Sequence, residues 1–293
     1  MHPNPIAAPL ARSLHRRRAL AALGALPALL TGCAASGSGD EVWRPWVGRG
    51  GKDVMWVPTL DAVVMPMLEM AAVRSDDIVY DLGSGDGKIP IWAARRFGVR
   101  AVGIEYDAKL SELAQRNAAR AGVTDRVRMI RGDIFVEDFS SATVLTLYLG
   151  QALNLRLRPI ILAMQPGTRV VSNNFDMEHW EPDRTVRIEA QNPLFLWIVP
   201  ARVAGAWTVD GLPDAASATL RLTQTFQKVE GTLEADGRRL GRVDGRLDGE
   251  RITLAIRSSD GSARQVQARA VGDVLTGTVG EGPARPFSAR RAR

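Results

Sequence analysis

Residues 80–89 read "YDLGSGDGKI". Ahead of them run the apolar Ile78 and Val79, and behind them comes the helical pattern "KIPIWAARRFG". An apolar run that breaks into alternating glycines and then opens a helix is a buried strand turning into its crossover. Glycine at such a turn lets backbone N–H groups approach a ligand with no Cβ in the way. The spacing excludes two ligand classes. A dinucleotide loop needs G-x-G-x-x-G, but after Gly83 and Gly85 the third required position is Lys88, and Gly87 comes one residue early. The phosphate loop G-x-x-x-x-G-K-[ST] does not occur in the chain.

The same alternation continues outward. "TLDAVVMPMLEMAAV" (59–73) has helical spacing, "VRAVGIEYD" is a second strand, and "AKLSELAQRNAARAG" is a helix closed by Gly122. "RVRMIRGD", "ATVLTLYL" and "GTRVVSNNF" follow as strands, with the helix "LNLRLRPIILAM" between the last two. Pro90 is acceptable because it falls in the first turn of its helix, where no N–H donor is required. "VRIEAQNPLFLWIVPA" should close the sheet as an antiparallel hairpin. This is an α/β, Rossmann-like pattern, whose ligands bind beyond the carboxyl ends of the strands.

Three acids occupy those ends: Asp81 on the first strand, Glu105 on the second and Asp133, in "RGDIF", on the third. A carboxylate at the second strand end can accept from both ribose hydroxyls. One near the third can accept from an exocyclic adenine amine. A pocket with a nucleoside grip, three acids and no phosphate grip suits a cationic nucleoside, and S-adenosylmethionine is one. The predicted cofactor-binding set is Asp81, Gly83, Ser84, Gly85, Asp86, Gly87, Glu105, Asp133 and Ile134.

At these residues the chain resembles the class I S-adenosylmethionine-dependent methyltransferases. "YDLGSGDGKI", "GIEYD" and "RGDIF" look like their first three motifs, and the likeness runs over roughly residues 57–201. "VPT" before the first helix, "DLGSGDGKI" and "NNFDMEHWEPD" resemble more narrowly the family of the ATP synthase c-subunit lysine methyltransferase and its bacterial relatives. That resemblance implies a seven-stranded methyltransferase sheet and protein-lysine N-methylation by in-line methyl transfer. The chain departs from it in Lys88, where arginine is usual, and in carrying a leader and an extra C-terminal region.

Methyl transfer to an amine needs the amine neutral, and at pH 7 only on the order of one lysine in a thousand is. Tyr148, after the fourth strand, and Asn173, after the fifth, are the candidate catalytic residues, with Asn174 and Phe175 beside them. Their oxygen and π-face groups could orient an amine cation while it sheds a proton. His179 reads as an exposed loop residue and Trp180 as packing. The acceptor stays open between a protein lysine and a small molecule. "NPPY"-type residues, which resemble those of nucleobase methyltransferases, are absent after the fourth strand.

Residues 204–293 change character. Short alternating runs such as "ATLRLTQTF", "KVEGTLEA", "RITLAI", "RQVQARA" and "VLTGTVG" predict a small antiparallel barrel or sandwich. Asp-Gly pairs beginning at Asp210, Asp236, Asp244, Asp248 and Asp260 mark expected hairpin turns.

The N-terminus reads as an exported protein. "HRRRAL" is a charged region, "ALAALGALPALL" an apolar one, and "LTGC" a lipobox-like end at Cys33, the one cysteine of the chain. The expected organisation is a lipoprotein-type signal over 1–33 with lipidation at Cys33, a flexible linker over 34–54, a methyltransferase domain over 55–203 and a β domain over 204–293. The expected location is a bacterial membrane-anchored lipoprotein facing the periplasm; the alternative is cytoplasmic, with the start assigned too far upstream. The net charge of +6 and pI near 10.1 come largely from arginines in the leader and in the tail "ARRAR", so nucleic acid is not an expected partner. One cysteine and three histidines, two of them in the leader, exclude an intrachain disulfide and a Cys/His metal cluster. Two other readings stand beside the enzyme: a membrane-tethered binding module that keeps the fold without turnover, and a small-molecule methyltransferase with the β domain as lid.

Overall fold

The computed structural model describes residues 43–188, 192–210, 217–280 and 285–292. The leader, with Cys33, lies outside the described residues.

The glycine loop belongs to a seven-stranded sheet. Its strands are β3 (Ile78–Leu82), β4 (Arg100–Glu105), β5 (Val127–Arg131), β6 (Val144–Leu147), β7 (Arg169–Asn173), β8 (Arg184–Arg187) and β9 (Pro193–Ile198), in the order β5-β4-β3-β6-β7-β9-β8. The first five in that order run parallel; β9 is antiparallel to β7, and β8 to β9. β3 lies between β4 and β6, so the chain reverses its direction of winding there, and the loop after β3 opens at the switch point.

Helices cover both faces, as buried parallel strands require. On one side Val79 and Ala101 pack with α1 (Asp61–Met70) through Val63, Val64 and Leu68, and with α2 (Lys88–Phe97) through Ile89 and Ala93. On the other, Leu145 and Leu147 meet Leu153, Leu157 and Ile161 of α4 (Gln151–Ile161), together with Trp197. The third crossover, α3 (Ala108–Arg120), is capped by Asp107, whose carboxylate accepts from the N–H groups of Lys109 and Leu110. The helix expected over 59–73 is shorter at both ends, and Thr59 caps nothing with its side chain; its carbonyl accepts instead from Lys88 Nζ at 2.8 Å.

The alternating C-terminal runs form a closed eight-stranded barrel and not a sandwich: β10 (Gly205–Asp210), β11 (Ala218–Thr225), β12 (Lys228–Ala235), β13 (Arg238–Asp248), β14 (Arg251–Ser258), β15 (Ala263–Val271), β16 (Val274–Val279) and β17 (Arg285–Arg291). Each pairs antiparallel with the next, and β17 returns to β10. Trp207, Leu222, Leu247, Leu254, Leu275 and Phe287 fill the interior. One expected turn is not a turn. Asp244-Gly245 lies within β13, paired with Leu254 and Ala255 of β14. A Cβ at Gly245 would stand 2.5 Å from Leu254 Cδ2 and 2.6 Å from the Thr253 carbonyl oxygen, so this glycine serves close strand approach.

The expected linker also needs correction. Within 34–54, Arg49–Gly50 forms strand β1, which pairs with β2 (Met55–Trp56) in a two-stranded ribbon. Pairing holds it, with Gly51 N–H donating to the Val54 carbonyl at 2.9 Å, and so do ion pairs to the sheet domain described below.

Candidate active site

The cavity at the switch point takes in about 980 Å³ including its open mouth. Its floor is the glycine loop and the ends of β3 and β4; its roof is the β1–β2 ribbon. Nine of the predicted residues meet here: Asp81, Gly83, Ser84, Gly85, Asp86, Glu105, Asp133, Ile134 and Tyr148. Gly87 does not line the cavity. It starts α2 at φ 80°, and a Cβ on it would stand 3.0 Å from Ala114 Cβ, so it lets α2 pack against α3. Asn173 does not line it either; it is buried at the end of β7, and its Oδ1 has no hydrogen-bond partner among the described residues.

Glu105 ties the floor together. One carboxylate oxygen accepts from Gly85 N–H and the other from Asp107 N–H, each at 2.8 Å. Each oxygen keeps a lone pair for a ligand. Gly85 sits at φ 54°, and a Cβ there would come within 2.5 Å of Trp56 Nε1 in the roof, so the loop and the ribbon close on each other only through a glycine.

Burial dominates the electrostatics of the acids around the loop. Asp81 is buried and accepts from Thr146 Oγ1 at 2.7 Å. Burial, reinforced by the nearby charges of Asp86 and Glu105, raises its pKa to about 7. Burial also raises Asp86 and Glu105 above the usual carboxylate range, against the pull of Lys88 on the first and of backbone N–H groups on the second. Between pH 4 and 7 the native chain keeps the Asp81 proton that the unfolded chain has released. Stability from this group therefore falls as pH rises through that window, by on the order of 4 kcal/mol. A bound cation favours the ionised carboxylate and reverses the sign for binding. Affinity for a cationic nucleoside should climb from pH 5.5 to pH 7.5, with proton release on binding at the lower pH. Calorimetry in two buffers of different ionisation heat reads that proton, and an affinity flat across the range would remove Asp81 from the site.

Sequence reasoning missed the roof. Arg49 pairs with Asp107 at 2.7 Å, and Lys52 Nζ pairs with Asp133 Oδ2 at 2.5 Å while standing 5.0 Å from the Tyr106 ring centre. The Lys52 hydrogen bond holds the Asp133 carboxyl below its ordinary pKa. Asp133, read as a ligand acid, is thus engaged by the ribbon. Three tryptophans in 43–56, at Trp43, Trp46 and Trp56, were the signal that this stretch is not a flexible tether. Lys52→Met should unlatch the roof. Both association and dissociation of the cofactor should quicken, with affinity changing less than either rate, and high salt should mimic the change in the parent protein. Stopped-flow fluorescence of Trp56 above the loop reads both rates; unaltered rates would show that the pair latches nothing.

On the acceptor side Tyr148 follows β6, and its ring stacks on Phe175, with centres 6.1 Å apart and planes at 27°. Asn154 steadies the segment that carries Phe175. Its Nδ2 donates to Ser172 Oγ at 3.0 Å and to the Phe175 carbonyl at 2.9 Å. His179 is exposed and Trp180 fully buried. Among the described residues no group of His, Cys, Asp and Glu could hold a metal ion, and no wall of the cavity comes from beyond Leu153, so the barrel does not cover it.

Comparison with known proteins finds methyltransferases. The model of the ANTKMT methyltransferase domain matches residues 81–184. A protein-lysine N-methyltransferase from Saccharolobus islandicus is 42% identical over 151 residues, which are 50% of this chain and 94% of the relative. The ATP synthase c-subunit lysine N-methyltransferase from Xenopus laevis is 31% identical over 44% of this chain and 56% of its own length, so the chain spans just over half of that relative. Among solved structures, the RNA methyltransferase from Salinibacter ruber in complex with S-adenosyl-L-homocysteine is 47% identical, over 55% of this chain and 99% of that one, with a TM-score of 0.49.

Proposed function

Since this chain belongs to the protein-lysine N-methyltransferase family, we propose that it transfers a methyl group from S-adenosylmethionine to a lysine side chain of a protein substrate. The observation that carries this is the acid cluster at the glycine loop: Asp81, Asp86 and Glu105, all with raised pKa, around one cavity. Those residues fit S-adenosylmethionine and would not fit a polyphosphate. Glu105 would hold its nucleoside, with Asp81 and the loop at the charged end and Asp133 latching the roof above it. The cofactor supplies an electrophilic methyl group on a sulfonium. The chain supplies position and dryness, and orientation alone can contribute about 7–11 kcal/mol to such a displacement.

The acceptor amine must arrive beside Tyr148 and lose its proton there. The Tyr148 oxygen can accept from an ammonium, and the stacked Tyr148–Phe175 pair offers it a π face. Tyr148→Phe keeps the face and removes the oxygen. It should lower kcat by about tenfold to a hundredfold, with cofactor affinity unchanged. Equal loss of affinity would place Tyr148 in the cofactor site. The decisive experiment is calorimetric titration with S-adenosylmethionine and S-adenosylhomocysteine, followed by mass spectrometry of candidate protein substrates for added methyl groups on lysine. Methylation confined to a small molecule would overturn the lysine assignment.

The proposed location is the membrane, through lipidation of Cys33 after the "LTGC" motif. Cys33→Ser should move the protein from the membrane fraction to the soluble one. A protein that is soluble in both forms would favour the cytoplasmic alternative.

A further inference from the structure

Exposed apolar side chains are unevenly placed. Of eleven exposed large hydrophobics among the described residues, six lie within residues 46–60: Trp46, Val47, Val54, Met55, Val57 and Leu60. Trp46, Val47 and Met55 are 64%, 66% and 63% exposed. Pairing holds this segment in one shape. Gly48 N–H donates to the Trp56 carbonyl at 2.9 Å, and the pairs Arg49–Asp107 and Lys52–Asp133 fasten it to the sheet domain. A fixed ribbon that keeps its apolar groups outward is a surface suited to being covered, because burying such side chains removes apolar area from water.

The sequence points to the cover. The apolar run "ALAALGALPALL" and Cys33 lie just upstream, and twelve residues lie between Cys33 and Trp46. Fully extended, a chain of that length reaches about 45 Å. An anchor at Cys33 therefore holds the ribbon within that distance of the bilayer, where weak docking suffices. The ribbon presents an exposed tryptophan and exposed aliphatic side chains, the apolar part of a headgroup–acyl boundary contact. We infer that residues 46–60 seat on the lipid surface, with Trp46, Val47, Met55 and Leu60 entering it. The inference rests on the membrane-anchoring reading above. Val54, Met55 and Val57 also line the cavity, so this docking sets the mouth of the active site at the membrane interface.

Photo-cross-linking in cells tests it with the full chain. p-Benzoylphenylalanine replaces Met55 in one strain and Val271, a similarly exposed barrel residue, in another, and the same cells are fractionated. A membrane-bound chain with phospholipid adducts from position 55 and none from 271 is the expected result. A membrane-bound chain without lipid adducts at 55 overturns the docking and leaves the anchor standing. Adducts at 55 to a second protein or to the chain's own leader overturn it in favour of that occupant. A chain recovered in the soluble fraction overturns docking and anchor together.

Discussion

Glu105→Ala should abolish cofactor binding in the micromolar range while leaving the protein folded. Glu105 makes two kinds of contribution. It would accept from the ligand, and it already accepts from Gly85 and Asp107 N–H groups, so its loss frees the floor of the cavity as well as its grip. Hydrogen bonds to a charged partner contribute about 1.5–3 kcal/mol each, and losing two or more lowers affinity by at least about a hundredfold. The fold should survive because burial raises the Glu105 pKa: the ionised group is held at a desolvation cost that the alanine variant no longer bears. Glu105→Gln keeps one acceptor oxygen and turns an amide toward one N–H, so it should fall between the two. Calorimetry with S-adenosylhomocysteine, alongside circular dichroism, reads both arms. Unchanged affinity in a folded Ala variant would move the cofactor away from the end of β4.

How much of this was legible follows from where chemistry is local. The glycine loop, the acids at strand ends and the crossover helices are written in contiguous motifs with fixed periodicity, and the residues at Asp81, Glu105, Asp133 and Tyr148 converge on one cavity. Gly87 and Asn173 occur in the same motifs but face packing rather than the cavity, a distinction of side-chain direction that spacing does not carry. The roof was misread because a two-residue strand pair has no period to detect; its order comes from ion pairs to Asp107 and Asp133, distant in sequence. β13 was missed because its glycines and arginines look like a loop until the neighbouring strand is placed against it. The coupling of barrel to sheet domain was equally invisible, since it rests on aromatic contacts across 46 residues of chain, from Trp180 to Phe226.

That coupling carries the second large effect. Trp180 follows β7 in the segment that also holds Phe175, and it is fully buried. Its ring stands 6.0 Å from Trp197 of β9 and stacks at 13° on Phe226, in the turn between β11 and β12 of the barrel. The barrel also reaches the segment through polar contacts. Gln227 Nε2 donates to the Glu181 carbonyl at 2.7 Å, Lys228 pairs with Glu181 at 2.7 Å, and Arg246 pairs with Asp183 at 2.6 Å. The ion pairs are largely exposed and contribute little; the aromatic stack is the buried part of the joint. Trp180→Ala should therefore cost about 3–5 kcal/mol and lower kcat, because the backbone that carries Phe175 loses its support against the barrel. Trp180→Phe should cost less than about 1.5 kcal/mol, since it keeps most of the ring contact and removes a buried Nε1–H that lacks a partner among the described residues. Denaturant melts of both variants, with kcat measured at saturating cofactor, decide it. If Trp180→Ala loses stability but keeps full kcat, the barrel holds the protein together without holding the acceptor side of its active site.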